Sequence, residues 1–222
     1  MTIPTEPIGS IPRLPGLLAA MAGHGRGEVS DADLAAAQDE AVRDTIRRLE
    51  DTGSPVVSDG EQSKPSFVTY PIAGLTDLAP GGIAIPFADG HQRQLPVLTG
   101  GPFRYQVHAD TYLRAALGHA KAAVKQAVIA PSALGLLYPP ADLDRYPRQA
   151  FLRDLINEAE TDIRNTLEAG VRRRHLHLSR YRVRQDQSAS RGDGSRRQPA
   201  GPVTRPGSVA RVVARSVVTS LA

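Results

Sequence analysis

The segment PVVSDGE, residues 55–61, joins a short apolar strand to an acidic, glycine-containing loop. A helix is predicted directly before it, because Ser30 with Asp33 is an N-terminal capping signal and Gly53 can end a helix in the left-handed conformation. The two valines that follow favour a buried strand, and the loop at 59–61 ends it. A helix that leads into a strand with a polar loop at its end is the unit from which α/β proteins are built.

The same unit recurs on both sides of this segment. Residues 5–8 are predicted to form a strand that ends in the loop Gly9-Ser10, and residues 124–130 a strand that ends at Pro131-Ser132. Helices are predicted over 110–123 and 147–169, the second closed by Gly170. The apolar faces of the first and last helices are predicted to hold Leu34, Ala41, Ile46 and Leu49, and Phe151, Leu152, Leu155, Ile156, Ala159, Ile163 and Leu167. The acidic residues of the last helix are predicted to form a solvated face: Asp154, Glu158, Glu160 and Asp162.

Residues 72–104 interrupt this alternation. Apolar residues at every second position, from Ile83 to Phe87, lead into Asp89-Gly90 and then into a second alternating run, which predicts a β-hairpin. Outside the hairpin, alternating strands and helices imply parallel strands with right-handed crossovers. Loops that follow the carboxyl ends of such strands carry function in α/β folds, so we expect the chemistry at the loops named above.

Composition places the chain among globular proteins and narrows its chemistry. Forty-one per cent of the residues are hydrophobic, and no apolar run approaches the roughly 18 residues of a membrane span. The N-terminus lacks a basic region followed by an apolar one, so we expect no secretory signal and a cytoplasmic location. The sequence contains no cysteine, which excludes disulfides and thiolate metal ligands.

Five motifs, in chain order, resemble the cobalamin-independent methionine synthases. IGSIPR at residues 8–13 resembles the IGS-x-P opening of the family's catalytic barrel. VSDGEQ at 57–62 is similar to the family's DGE or HGE loop, and KPSFVTY at 64–70 is similar to the segment that follows it in single-barrel members. VIAPS at 128–132 and DLINEAE at 154–160 complete the set.

This resemblance extends over residues 3–170 and implies a zinc-dependent methyltransferase on a (β/α)8 barrel of the TIM type, here with a β-hairpin insertion. The implied reaction, in methionine biosynthesis, moves a methyl group from 5-methyltetrahydrofolate, in its polyglutamate form, to homocysteine, whose thiol the zinc holds as a thiolate. In the family, the IGS backbone and the loop glutamate hold the amino-acid end of the thiol. The resemblance therefore assigns substrate binding to Ile8, Gly9, Ser10 and Glu61, since a glutamate suits an ammonium group and backbone groups suit a carboxylate.

The zinc ligands that the resemblance implies do not occur in this sequence. In the family they are a His-x-Cys pair, a glutamate and a second cysteine on later strands, whereas this chain has no cysteine. We therefore assign no metal ligand and no catalytic residue, and we expect residues 1–170 to be the N-terminal part of an incomplete barrel, truncated and inactive. His175 and His177 have a spacing that could face one metal ion, but no carboxylate or cysteine stands near them, and we do not assign them.

Residues 171–222 differ from the rest of the chain in charge and in pattern. They carry 12 arginines, no lysine and 2 acidic residues, whereas residues 1–170 carry 15 basic and 21 acidic ones. Because no apolar period is sustained, this arginine-rich stretch is predicted to be a disordered tail. Its composition is typical of high-GC DNA translated out of frame, a hypothesis under which the buried strand expected after Gly170 is missing.

Two alternatives remain open at this point. The first is another zinc-dependent thiol alkyltransferase of the same superfamily, with a different thiol or donor. The second is a non-catalytic remnant whose basic tail binds nucleic acid by neutralising phosphates, although the tail lacks lysine and has one aromatic residue, Tyr181, for stacking. We expect homocysteine and folate as partners, and neither a membrane nor a nucleic acid.

Overall fold

The computed structural model describes residues 6–86, 90 and 92–170, together with the backbone of Leu176–Ser179. In chain order the helices and strands are α1 Pro15–Gly25, α2 Asp31–Asp51, β1 Val56–Val57, β2 Leu78–Ala79, β3 Ala84–Pro86, β4 Gln92–Gln94, β5 Val97–Leu98, α3 Ala109–His119, β6 Ala123–Val124, β7 Gln126–Ile129, α4 Pro131–Leu134, α5 Arg148–Glu168 and β8 Leu176–Ser179. Short 3-10 helices lie at Tyr70–Ile72 and Gly135–Leu137.

Parallel strands form the centre of the fold, as the alternation of strands and helices predicts. β6 pairs with β1 in parallel, with Val56 opposite Ala123, and β7 pairs in parallel with β8. Only Lys125 separates β6 from β7, and its backbone N–H donates to the carbonyl of Val57 at 2.7 Å. The predicted strand at 124–130 is therefore present but interrupted at Lys125 and ended at Ile129, and the predicted helix before it ends at His119 instead of residue 123.

The hairpin predicted within residues 72–104 is confirmed. β3 pairs antiparallel with β4, and β2 pairs antiparallel with β5. The β3–β4 pair thus lies within the segment that the β2–β5 pair closes. The predicted turn contains Gly90, whose φ of 88° is left-handed. Phe87 and Asp89, on which the prediction also relied, lie outside the described residues.

Helix α2 begins and ends where its capping residues predict, and α5 ends where Gly170 predicts. The Ser30 hydroxyl accepts a hydrogen bond from the backbone of Asp33 at 3.1 Å, and Gly53 follows α2 with a φ of 76°. Gly170, with a φ of 113°, follows α5 in the same way. The apolar stripe of α2 is displaced from the predicted one, because Val42 and Thr45 are buried beside Ile46 while Leu34, Ala41 and Leu49 are partly exposed.

Near the N-terminus the structure differs from the prediction in two ways. Residues 6–8 of the predicted strand at 5–8 are not in a strand, and Thr5 lies outside the described residues. Pro7 has no N–H to give to a strand ladder, which disfavours strand pairing there. Helix α1 was not predicted, because PGLLAAMAGHG has no polar face with a helical period. It begins with Pro15, whose fixed φ suits the first turn of a helix.

Strand β8 corrects the prediction of a disordered tail for four of its residues. Leu176–Ser179 runs parallel to β7, with Gln126 opposite Leu176 and Ile129 opposite Ser179. This is the place where the alternation requires the next strand after α5, so the expectation that no strand follows Gly170 is wrong there. Residues 171–175 and 180–222, which hold the other tail predictions, lie outside the described residues, as do the side chains of His175 and His177.

Two buried clusters hold the elements together. The larger one joins β7, α4 and α5 to the hairpin and to the segment around Tyr70, and it includes Phe103, Leu134 and Phe151. The smaller one packs α2 and α3 on β1 and β6 through Ile46, Val57, Leu113, Val124 and their neighbours. The described residues therefore form a mixed α/β fold with parallel strand pairs and no closed barrel. Among their helices, none has the length and apolarity needed to cross a bilayer.

Candidate functional site

Two loops singled out by the sequence lie against each other beside β1. The backbone N–H of Ile11 donates to the carbonyl of Gly60 at 3.0 Å, and the Ser58 hydroxyl donates to the carbonyl of Gly9 at 3.2 Å. The Gln62 side-chain amide donates to the carbonyl of Ile11 at 3.0 Å. These bonds take the place of strand pairing for the N-terminal segment, and they fix Gly9 next to the acidic loop.

Arg13 binds the acidic loop from the outside. Its guanidinium donates to the backbone carbonyls of Glu61 at 2.9 Å and Gln62 at 3.0 Å, and also to that of Lys64. A planar guanidinium with several donors suits this arrangement, in which three carbonyls of one turn converge. The loop that carries Glu61 is therefore held by a side chain from the IGSIPR segment.

The loop has an unusual backbone at its centre. Gly60 and Glu61 have φ angles of 60° and 55°, and among the described residues Glu61 is the only non-glycine residue with a positive φ. Its N–H donates to Asp59 Oδ1 at 3.0 Å, which stabilises the turn locally. Left-handed backbone at a non-glycine residue costs about 1 kcal/mol or more, and such strain clusters at functional sites.

The Glu61 carboxylate is buried next to the backbone of Gly9. The side chain is 5% exposed, and a Cβ placed on Gly9 would lie 3.6 Å from Glu61 Oε1. Burial raises the pKa of Glu61, the nearby Lys64 ammonium opposes that rise, and Asp59 adds to it. A buried carboxyl with a raised pKa and an open backbone beside it is a candidate binding site for a cationic group.

Lys64 is the cation closest to Glu61, and it is fully buried. Its Nζ lies 3.6 Å from Glu61 Oε1 and donates a hydrogen bond of 2.9 Å to the carbonyl of Ala127 on β7. The same nitrogen lies 5.0 Å from the ring centroid of Tyr70 and 5.5 Å from that of Tyr112. The lysine is thus held between a strand carbonyl, a carboxylate and two aromatic rings.

Asp162, predicted to lie on a solvated face of the last helix, is buried in the interior instead. It is 1% exposed and accepts hydrogen bonds of 2.6 Å from the Tyr70 hydroxyl and from the backbone N–H of Ala109. Tyr70 also accepts from the backbone N–H of Ile129 at 3.2 Å. Burial raises the pKa of Asp162, and the bond from Tyr70 opposes that rise. The Tyr70 hydroxyl therefore bonds to both α5 and β7, while the ring of the same residue faces Lys64.

Two further acceptor atoms near the site are buried without a hydrogen-bond partner among the described residues. These are Asp59 Oδ2 in the acidic loop and Gln126 Oε1 at the start of β7. An unsatisfied buried acceptor is costly, so each one favours the approach of a donor group.

The structure brings together two of the four residues predicted to bind substrate. Gly9 and Glu61 are buried side by side, whereas Ile8 is 78% exposed and Ser10 is exposed. Exposure of these two side chains is compatible with the backbone role expected for the segment, and that role remains a prediction. Arg13, Lys64 and the unpaired Asp59 oxygen were not predicted to belong to the site; a charged residue three positions after Glu61 was the only local signal for them.

The described residues do not fit a zinc ion. None of their His, Asp and Glu side chains form a group of three that could hold a metal, and the sequence has no cysteine to supply a thiolate. Glu61 already has a cation, Lys64, at 3.6 Å from its Oε1, which disfavours Zn²⁺ beside it.

Comparison with known proteins supports the fold. No family model matches the sequence, and no curated protein matches it. Among solved structures, the chain is similar to a B12-independent methionine synthase from Shewanella sp. W3-18-1 in complex with selenomethionine, with a TM-score of 0.52 and 19% identity over 65% of this chain and 42% of that one. It is also similar to a protein from Listeria monocytogenes assigned as a vitamin B12-independent methionine synthase, with a TM-score of 0.53 and 19% identity over 80% of this chain and 52% of that one. The chain thus spans about half the length of these structures, and the likeness supports a related fold over the part of the chain that it covers.

Proposed function

We propose that this chain derives from a methyltransferase of the methionine synthase type, which transfers a methyl group from 5-methyltetrahydrofolate to homocysteine. Within it, the described residues form the part of the site that binds the amino-acid end of the thiol. The observation that carries the proposal is the proximity of Gly9 to the buried Glu61 carboxylate: a Cβ on Gly9 would be 3.6 Å from Oε1.

Different groups of the site are available to the ammonium and the carboxylate of an amino-acid ligand. The Glu61 carboxylate offers acceptors to an ammonium group in a place that is shielded from water, where a charge-assisted hydrogen bond is strongest. The backbone N–H groups of Gly9 and Ser10 make no hydrogen bond within the described part of the chain, whereas that of Ile11 is bound to Gly60. Two neighbouring free N–H groups suit a carboxylate.

The solved neighbours support an amino-acid ligand. The Shewanella structure is a complex with selenomethionine, an amino acid that carries selenium where methionine carries sulfur. Homocysteine has the same ammonium and carboxylate ends. Because the donor set of the described residues does not fit zinc, the proposal for these residues is confined to binding and orientation.

Binding of homocysteine to the purified chain tests the proposal by NMR or calorimetry. We expect homocysteine to bind and N-acetylhomocysteine, which lacks the ammonium group, to bind more weakly. Glu61→Gln keeps the shape and removes the charge, so it should cost about 1.5–3 kcal/mol of binding free energy, the value of a hydrogen bond to a charged group. Glu40→Gln, an exposed carboxylate on α2 paired with Arg43, is the matched control and should bind as the wild type does.

If the two ligands bind equally well, or if Glu61→Gln and Glu40→Gln have the same affinity for homocysteine, Glu61 does not hold an ammonium group.

A further inference from the structure

We infer that Lys64 is a positioning residue for this site: it keeps the Glu61 carboxylate ionised and in place while leaving its acceptor positions open to a ligand's ammonium group. The second half of this statement rests on the proposed function, whereas the coupling between the two side chains does not.

The distances separate the two roles of the lysine. Lys64 Nζ donates a hydrogen bond of 2.9 Å to the carbonyl of Ala127. The same nitrogen lies 3.6 Å from Glu61 Oε1, which is beyond hydrogen-bond range. At that distance two opposite charges still attract strongly in a buried place. The lysine therefore supplies a counter-charge without filling the acceptor positions of the carboxylate.

The surroundings of Lys64 hold it in this position. Its side chain has no exposed surface, and the rings of Tyr70 and Tyr112 lie 5.0 and 5.5 Å from Nζ. Tyr70 is in turn fixed by hydrogen bonds to Asp162 and Ile129. The hydrogen bond to Ala127 on β7 and the burial of the side chain restrain the ammonium group near Glu61.

Stability alone does not account for the pair. A buried ion pair recovers its desolvation cost only when its geometry is good and its remaining donors are satisfied, and apolar residues of equal volume are often as stable. Here the ion pair is long, and Glu61 itself has a positive φ of 55°. A carboxylate held in a strained backbone with free acceptors suits binding better than packing.

The charged groups that face the pair come from four elements. Asp59 and Arg13 act on Glu61 with opposite signs, from the loop itself and from the N-terminal segment. Asp162 of α5 is influenced by Lys64, and Tyr112 of α3 lies over it. Since Lys64 opposes the rise in the pKa of Glu61, its removal should raise that pKa further, and ammonium binding should then be lost at a higher pH.

A glutamate titration tests the coupling without any ligand. The chain has eight glutamates, so selective ¹³C labelling of their carboxyl groups gives a tractable spectrum, in which Glu61→Gln identifies the Glu61 signal. We expect the midpoint of Glu61 to rise by about one pH unit or more in Lys64→Met, and to stay near the wild-type value in Lys64→Arg. Lys64→Gln keeps a donor for the Ala127 carbonyl and is measured alongside, in case the methionine variant does not fold. An unchanged midpoint in a folded neutral variant overturns the inference.

A homocysteine titration over pH then tests the positioning role. In Lys64→Met the affinity should fall at pH values below the raised Glu61 midpoint, by up to about tenfold for each pH unit by which the midpoint rises, and recover as the pH is raised, a pattern that a purely structural defect does not produce. Lys121→Met, an exposed lysine after α3, is the matched control. A wild-type pH profile in the methionine or glutamine variant overturns the positioning role. If the Glu61 midpoint changes in the Lys64 variants but the wild type does not bind homocysteine, the proposed function fails while the coupling of Lys64 to Glu61 stands.

Discussion

Replacing Tyr70 with phenylalanine should destabilise the chain strongly, because one hydroxyl group completes two buried interactions. The hydroxyl donates to Asp162 Oδ2 at 2.6 Å and accepts from the backbone N–H of Ile129 at 3.2 Å, and both Tyr70 and Asp162 are 1% exposed. Burial raises the pKa of Tyr70 well above its usual value, so the hydroxyl stays protonated and able to donate throughout the neutral range.

The magnitude follows from the two bonds. A hydrogen bond to a charged group contributes about 1.5–3 kcal/mol and one between neutral groups about 0.5–1.5 kcal/mol. Phenylalanine supplies no hydrogen-bonding group in place of the hydroxyl. Asp162 Oδ2 and the Ile129 N–H are therefore each left without this partner. We expect the free energy of unfolding to fall by about 2–4 kcal/mol, with a further rise in the pKa of Asp162 because it loses a stabilising donor.

Urea unfolding monitored by circular dichroism measures the loss, and hydrogen exchange at the Ile129 amide reports on the local bond. Tyr112→Phe is the matched control: its ring also faces Lys64, at 5.5 Å, but its hydroxyl makes no hydrogen bond within the described part of the chain, so it should change the free energy by less than about 1 kcal/mol. Equal effects of the two substitutions, or unchanged protection of the Ile129 amide in Tyr70→Phe, would refute the reasoning.

Three further predictions concern the loop and the reaction. Gly60→Ala should cost more than the roughly 1–2 kcal/mol of a left-handed alanine, because its Cβ would lie 2.8 Å from Thr45 Cγ2; Gly74→Ala, also left-handed but with open space around it, isolates the backbone part, and equal losses in urea unfolding would contradict the clash. Because burial raises the pKa of Glu61, the folded chain binds a proton more readily than the unfolded chain, so lowering the pH from about 7 towards 4.5 should stabilise the wild type relative to Glu61→Gln; a flat difference in unfolding free energy over that range speaks against it. Methionine formation from homocysteine and methyl-folate with added zinc should not exceed the enzyme-free rate, because a thiol without zinc keeps a pKa of about 8.5 and stays mostly protonated; turnover above that rate would show that the chain assembles a metal site.

The elements that could be predicted from the sequence are those specified by neighbouring residues. The cap at Ser30, the stop at Gly53 and the apolar period of α5 are local signals, and the structure has the corresponding boundaries. The hairpin is equally local, since its alternation and its glycine turn lie within one short stretch. For these elements propensity and packing favour the same conformation.

Elements that depend on a distant partner were predicted poorly. Residues 6–8 pair with no strand, and the segment that follows them is held instead by hydrogen bonds of Gly9 and Ile11 to Ser58, Gly60 and Gln62. Strand β8 is the reverse case, a strand that exists but was not predicted. LHLS alternates at period two over only four residues beside a run of arginines, so its pattern was too short to predict a strand. Its position after α5 was the better signal, since a parallel strand is required there.

The site residues also differ in whether they could be predicted from the sequence. Gly9 and Glu61 were assigned through the resemblance, while Lys64 and Asp162 were not, because long-range contacts decide their roles. Asp162 was placed in solvent on account of its charge, although it follows Ala159 by three positions and precedes Thr166 by four, both of which are buried. Its position within the helical period was therefore a better guide than its residue type.

The charges in the interior explain why this site should select a cation. Among the described residues, the buried side chains that can be charged are Asp59, Glu61, Asp162 and Lys64. Three buried carboxyl groups are thus accompanied by one buried ammonium group, and Arg13 is occupied with backbone carbonyls. Burial raises the pKa of Glu61 and of Asp162, and an arriving cation that pairs with Glu61 lowers the pKa of that group by the same interaction. Because binding then displaces the proton that Glu61 holds near its own pKa, an ammonium ligand should release protons on binding in that pH range, whereas a neutral thiol should not.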